Sequence, residues 1–173
     1  MLLNLDTVPP FYKNYVKLIE ETDPIQALRI SGNRAQELLH SIPLAKQDFS
    51  YASGKWTIRE LLCHMIDAER IFAYRALRFA RNDKKELAGF DENAYASESN
   101  ASGRELKNIL AEMAHLRSST IDLFTGFSAE MLSRKGNANG TELSVASQGF
   151  IIAGHETHHL KVLKERYFSA WNG

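Results

Sequence analysis

Three of the six histidines lie close together near the end of the chain, at positions 155, 158 and 159. On a helix, His155 and His159 are one turn apart on the same face, so their ring nitrogens can point to one place. A pair with this spacing lets a single helix supply two ligands to a divalent metal ion. His158 lies about 60° around the helix from His155 and is an alternative to His159.

His64 is the candidate for the third ligand, which has to come from another helix. It lies beside the apolar residues Ala68 and Phe72 in a segment with a strong helical repeat, so it can point into a helical bundle. Bundle cores commonly build metal sites from side chains on facing helices. A single inward histidine is more often a hydrogen-bonded core residue, and we expect surface or structural roles for His40 and His115.

Two acidic residues are candidates for a catalytic base. Glu69 falls on the apolar face defined by Met65 and Phe72, where a carboxylate is costly unless it is paired. It could hydrogen-bond a ligand histidine, act as a general base, or form an ion pair with an arginine such as Arg166. Asp91, in the loop after this helix, is the second candidate base.

The segment His155-Glu156-Thr157-His158-His159 also matches the H-E-x-x-H motif of zinc peptidases, in which the glutamate is the base. Those enzymes take a third ligand well downstream of the motif, either a glutamate on a later helix or a further histidine. The residues that follow His159 include no histidine. The peptidase is therefore the weaker alternative.

Composition favours one globular domain that acts on small molecules. The chain has 173 residues, and we expect a single domain over residues 1–173. Lys plus Arg (21) balances Asp plus Glu (21), so no net charge attracts nucleic acid or an anionic membrane. The single cysteine, Cys63, and a sequence without a signal peptide or transmembrane stretch predict a cytoplasmic protein with no membrane partner.

Amphipathic helices are predicted to carry these residues. Pro9 and Pro10 can open a short N-terminal helix, and Asp23 with Pro24 can begin another that runs to about Ser41. A last long helix is expected from about position 144 to position 167, with its apolar residues on one face.

Two capping boxes are predicted to start the helices in between. Thr57 with Glu60 precedes one apolar helical repeat, and Ser102 with Glu105 precedes another. The remaining segments, 82–100 and 126–141, are predicted to be loops without strands. Four long helices indicate an all-α four-helix bundle, with the extra N-terminal segment split or packed outside.

Several segments closely resemble the DinB-like bundle family. They are residues 54–64 (GKWTIRELLCH) and 67–70 (DAER), together with residues 89–92 (GFDE), which resemble the middle loop of the family. Residues 152–159 (IAGHETHH) and 163–167 (LKERY) resemble its last helix. The resemblance covers most of the chain.

This resemblance implies an up-down-down-up bundle, often dimeric, whose divalent metal ion is bound at the positions matched by His64, His155 and His159. Zinc or nickel is favoured, while iron or copper also suits three imidazoles plus water. Relatives of known activity include transferases that use thiols such as bacillithiol or mycothiol. The resemblance therefore implies a homodimer with a small-molecule substrate, for which a low-molecular-weight thiol is one candidate.

Three neutral nitrogens leave a divalent ion with open positions for water or substrate, as in catalytic sites. The first hypothesis is a metal-dependent thiol S-transferase or hydrolase, with S-transfer favoured by the resemblance. The alternative is a stress-related metal-binding protein without turnover.

Overall fold

The computed structural model describes residues 8–171 and confirms the predicted all-α four-helix bundle. Its helices are α1 (Pro10–Val16), α2 (Pro24–Leu39), α3 (Ile58–Ala80), α4 (Glu92–Glu98), α5 (Leu106–Thr125), α6 (Ala129–Ser133), α7 (Val145–Val162) and α8 (Ser169–Trp171). Two short antiparallel strands, β1 (Lys135–Ala138) and β2 (Thr141–Ser144), stand between α6 and α7.

The bundle consists of α2, α3, α5 and α7, in the predicted up-down-down-up order. Helices α2 and α3 each pack against both α5 and α7, and the short α1 packs on α7. The core divides into two apolar clusters, one containing Phe79, Phe124 and Phe150 and the other containing Leu62 and Ile109. Within residues 8–171, no helix is long and apolar enough to cross a membrane.

Most of the predicted helix starts are confirmed. Asp23 and Ser144 cap α2 and α7 by accepting backbone N–H bonds, and Thr57 forms a complete capping box with Glu60 at the start of α3. The predicted box at Ser102 is wrong. That residue lies inside a 3₁₀ turn over Ala101–Gly103, and α5 begins only after it, without a side-chain cap.

The segments predicted to be loops contain more structure than expected. The second includes the strands β1 and β2, joined by Asn139 and Gly140, whose φ angles are 52° and 69°. Positive φ at both central residues is typical of a tight hairpin turn, for which Asn-Gly is the preferred dipeptide. Gly136 lets β1 pack directly on Phe79 of α3, because a Cβ there would fall 2.0 Å from its ring. The first loop includes α4.

The last helix changes its geometry before it ends. Regular α7 ends at Val162, and π-helical turns continue it over Leu163–Phe168. Tyr167, near the predicted end, is buried, and its hydroxyl donates to the Trp56 carbonyl over 2.7 Å. This bond ties the end of the bundle to the segment that leads into α3.

Candidate metal centre

The three predicted ligands lie together where α3 faces α7. His64 is in the second turn of α3, and His155 and His159 follow one another by one turn on α7. Nε2 of His155 lies 3.1 Å from Nε2 of His64 and 3.0 Å from Nε2 of His159. One nitrogen atom from each ring thus lies within 4.8 Å of the others, an arrangement in which one divalent ion can be bound by three imidazoles.

Burial keeps these rings neutral, as metal ligands must be. His64 and His155 are each 7% exposed. Burial lowers the pKa of His64 to about 4. Burial, and then the neighbouring histidines, lowers the pKa of His155 and of His159 well below the ordinary value.

The donor set fits a divalent ion better than a closed hydrogen-bond network. Nε2 of His64 and Nε2 of His159 both face Nε2 of His155. In a neutral ring, Nε2 of His155 either donates one hydrogen bond or accepts one, so it can satisfy only one of these two neighbours. Three neutral imidazoles with this convergence are the ligand type that zinc, nickel, iron and copper accept.

His158 lies outside this cluster. Its ring meets the edge of Tyr15, with the ring centroids 5.2 Å apart, and it is not among the three residues whose ring nitrogens converge. Tyr15 also stands over His155, with centroids 5.3 Å apart. Gly154 permits this close packing of α1 on α7, because a Cβ there would fall 2.4 Å from the Tyr15 carbonyl oxygen. The geometry therefore favours His159 over His158.

Glu69 forms a buried ion pair with Arg117 of α5. Its Oε1 and Oε2 accept hydrogen bonds of 3.0 and 2.7 Å from Nε and Nη2 of Arg117. This bidentate geometry satisfies both carboxylate oxygens. It supports the alternative in which Glu69 forms an ion pair, although the partner is Arg117 and not Arg166 as suggested from the sequence. Arg166 instead donates to the Tyr51 hydroxyl. The role of Glu69 as a base stays a prediction.

Glu156, the glutamate of the H-E-x-x-H segment, belongs to the same ion cluster. Its Oε2 accepts a 2.6 Å bond from Nη1 of Arg117, which also donates to Ser31 and to the Leu28 carbonyl. The adjacent carboxylates raise the pKa of Arg117 against the opposing effect of burial. A glutamate paired in this way is not free to act on a metal-bound water, which argues against the peptidase.

Asp91 caps α4, and its neighbour Glu92 faces the site. Oδ1 of Asp91 accepts from the N–H groups of Asn93 and Ala94 at 2.9 and 3.1 Å. Glu92 lines a cavity together with the three clustered histidines, and its charge contributes, after burial, to the raised pKa of Tyr15. Our sequence reasoning missed Glu92. The available signal was the Asp91-Glu92 pair, because aspartate is a preferred N-cap residue and its capping would leave the neighbouring carboxylate free. Asp91 as a base stays a prediction.

The cavity above the histidines has a volume of about 200 Å³ and is mainly aromatic. Its walls come from α1, α3, the loop before α4, and the β1–β2 turn. The aromatic residues that line it are Phe11, Tyr12, Tyr15, Trp56, Phe72 and Phe90. A concave apolar site with a few convergent polar groups is the usual form of a small-molecule site.

Comparison with known proteins identifies the family of this chain. The model of the DinB superfamily matches residues 27–163. The protein named putative metal-dependent hydrolase OB0413, from Oceanobacillus iheyensis, is 27% identical over 135 residues, which are 76% of each chain.

Two solved structures have the same fold. YfiT from Bacillus subtilis, described as a probable metal-dependent hydrolase with an unusual four-helix bundle topology, superposes with a TM-score of 0.72 at 16% identity, over 82% of each chain. A mycothiol-dependent maleylpyruvate isomerase superposes with a TM-score of 0.68 at 11% identity. That match covers 92% of this chain and 62% of the isomerase chain.

Proposed function

The chain belongs to the DinB superfamily, and from that premise we propose that it is a metal-dependent enzyme that acts on a small molecule, as a hydrolase or a thiol S-transferase. The observation that carries the proposal is the convergence of three neutral ring nitrogens beneath an aromatic cavity. The metal-dependent hydrolase relative from Oceanobacillus iheyensis supports the same class of reaction.

The ion would be held by His64, His155 and His159. A divalent ion on three neutral imidazoles supplies a Lewis acid that lowers the pKa of a bound water or thiol. Zinc and nickel are our candidates, followed by iron and copper. The residues around the ligands would exclude bulk water, since Tyr15 and Phe72 stack their ring edges against His155.

Glu92 is our candidate for the group that accepts a proton in the cavity. Among the described residues that line the cavity, it is the one carboxylate. It is exposed and forms no ion pair within residues 8–171, so its oxygen atoms are available to a substrate or water. Geometry therefore favours Glu92 over Glu69 and Asp91, whose oxygens are used in the ion cluster and the helix cap.

A second cavity favours the transferase form of the proposal. It has a volume of about 320 Å³ and shares Trp56 and His159 with the aromatic cavity. Two cationic side chains line it, namely Lys55 and Arg166, together with His158. Two cavities of different character that share one histidine suit a reaction with two substrates, of which one is an anionic thiol.

A turnover screen of the metal-loaded protein tests the proposal. The first arm offers small esters and amides, and the second offers bacillithiol, mycothiol or coenzyme A with a reactive electrophile. We expect turnover in one arm that is abolished by His155→Ala and lowered by Glu92→Gln. If metal-loaded protein turns over nothing in either arm, the metal-binding protein without turnover is the better account.

We propose a single domain over residues 1–173, a cytoplasmic location and a homodimer. Sedimentation equilibrium at micromolar concentrations should give twice the 19.6 kDa of one chain. A mass that stays at 19.6 kDa would contradict the dimer.

A further inference from the structure

Arg75 is a buried cation without a counter-ion. It is 2% exposed, yet no carboxylate within residues 8–171 lies close enough to form an ion pair with it. The two other buried arginines differ, since Arg59 pairs with Asp48 and Arg117 pairs with two glutamates. A charged group in a low-dielectric interior is costly unless it is paired. Arg75 therefore stands out among the buried arginines.

The guanidinium of Arg75 is held in place but incompletely bonded. Its Nη2 donates a 2.9 Å hydrogen bond to the Ala88 carbonyl, and its Cζ lies 5.7 Å from the centroid of the Phe72 ring. Its Nε is buried and makes no hydrogen bond within the described chain. These contacts fix the direction of the group while leaving its charge and part of its donor capacity unused.

Arg75 lines the aromatic cavity above the metal centre. It lies on the same stripe of α3 as His64, Ala68 and Phe72, at helical steps of three and four residues. The Phe72 ring also stacks its edge on His155, with ring centroids 6.1 Å apart. The Phe72 ring thus contacts both the unpaired cation and a metal ligand, and all of them line one cavity.

We propose that Arg75 binds the carboxylate of the substrate, and that the substrate is a small acid with an aromatic or branched apolar body. The planar guanidinium can accept a carboxylate through two parallel hydrogen bonds, which a neutral ligand cannot offer. The apolar body would contact the aromatic wall, and the reacting group would face the histidines. The inference rests on the proposed enzymatic function only in calling this ligand a substrate.

The size of the cavity limits the acid. Its volume of about 200 Å³ is below the range of roughly 300–1,000 Å³ that holds drug-sized ligands. Ala68 contributes to this volume, because a larger side chain at that position would occupy the floor of the cavity. We therefore use benzoate as the probe, with benzamide as its uncharged counterpart of nearly the same shape.

Equilibrium binding to the metal-loaded protein tests the proposal by calorimetry. Benzoate should bind at least tenfold more tightly than benzamide. Arg75→Gln should remove this preference and leave benzamide binding unchanged, while Arg75→Lys should keep part of it. Arg78→Gln is the matched control, because Arg78 pairs with Asp83 outside the cavity, and the preference should persist in it.

Several results would overturn the proposal. One is equal binding of benzoate and benzamide to the wild-type protein, and another is a benzoate preference that survives in Arg75→Gln, which would place the carboxylate on the metal ion. Tighter binding of phenyl phosphate than of benzoate would reject the acid class. If Arg75→Gln does not fold, the preference for benzoate over benzamide in the wild-type protein and in Arg75→Lys still tests the proposal. None of these measurements needs turnover. If the protein is inactive in the turnover screen but still prefers benzoate in a way that depends on Arg75, the proposed enzymatic function fails and the anion site stands.

Discussion

Two buried polar clusters lie close together in this bundle, and they differ in what completes them. In the ion cluster, Arg117 meets Glu69 and Glu156, and the hydrogen bonds of the three side chains are made within the protein. In the metal centre, Nε2 of His64 and Nε2 of His159 both face Nε2 of His155, which as a neutral ring nitrogen can hydrogen-bond only one of them.

The comparison shows how to separate structural from functional polar groups in a core. A buried polar group with every partner supplied by the chain contributes to folding, and breaking it costs stability. A buried charge that lacks a counter-ion within the described chain and lines a cavity, such as Arg75, indicates a ligand. The predictions below test this division.

Removal of Arg117 should have the largest effect. Arg117→Met leaves Glu69 and Glu156 buried without a cation, so the free energy of unfolding should fall by about 3–5 kcal/mol. Urea denaturation measures it. Arg70→Met is the control, because Arg70 pairs with Glu112 at the surface and is half exposed, and it should cost less than about 1 kcal/mol. Equal losses in the two variants would refute the structural role of the ion cluster.

Removal of a histidine ligand should act on metal binding and not on folding. We expect close to one divalent ion per wild-type chain. In His155→Ala the affinity for the metal should fall by more than about 100-fold, which is more than the usual loss when a group that only hydrogen-bonds a ligand is removed. Elemental analysis and metal titration measure both. His158→Ala should keep its metal. If His159→Ala keeps the metal and His158→Ala loses it, the choice of His159 is wrong.

Glu69→Gln tests whether the two clusters are independent. The variant keeps the shape of the side chain but removes one of the charges that surround Arg117. The free energy of unfolding should fall by about 2–3 kcal/mol, while metal affinity stays within threefold. Denaturation and metal titration of the same samples give both values.

Two other outcomes of that experiment would restore Glu69 to the site. A 10- to 100-fold loss of metal affinity would make it a partner of a ligand histidine. A roughly 100-fold drop in turnover at unchanged affinity would make it the base that the sequence predicted.

The smallest expected effect is a pH dependence of the metal-free protein. Burial lowers the pKa of His64 to about 4, while in the unfolded chain it stays near 6.5. Between these values the unfolded chain binds more protons, so the free energy of unfolding falls as the pH falls. His64 alone contributes about 2 kcal/mol between pH 7 and pH 5. Denaturation with a chelator present should show this slope, and His64→Gln should reduce it. An unchanged slope in His64→Gln would contradict the buried neutral ring.

The sequence was informative wherever a feature depends on neighbours along the helix. The caps at Asp23 and Thr57 were predicted from residues that lie within one turn of each other, and the start of α7 near Ser144 was predicted from the apolar repeat that follows it. The exception, Ser102, has the correct local pattern, but Asn100 with a φ of 52° starts a 3₁₀ turn in its place. The hairpin was missed because its strands do not alternate in hydrophobicity, although its Asn-Gly turn was visible.

By itself, the sequence determined the four long helices, their inward faces and the spacing of the histidines, because the helical repeat fixes which residues share a face. It did not determine what the carboxylates and arginines do. Glu69 meets Arg117 across 48 positions of the chain. Only the packing of α3, α5 and α7 placed that pair in the core and left Glu92 and Arg75 in the cavity. The reason is physical: the partner of a buried charge is set by distances between helices, which no local periodicity encodes.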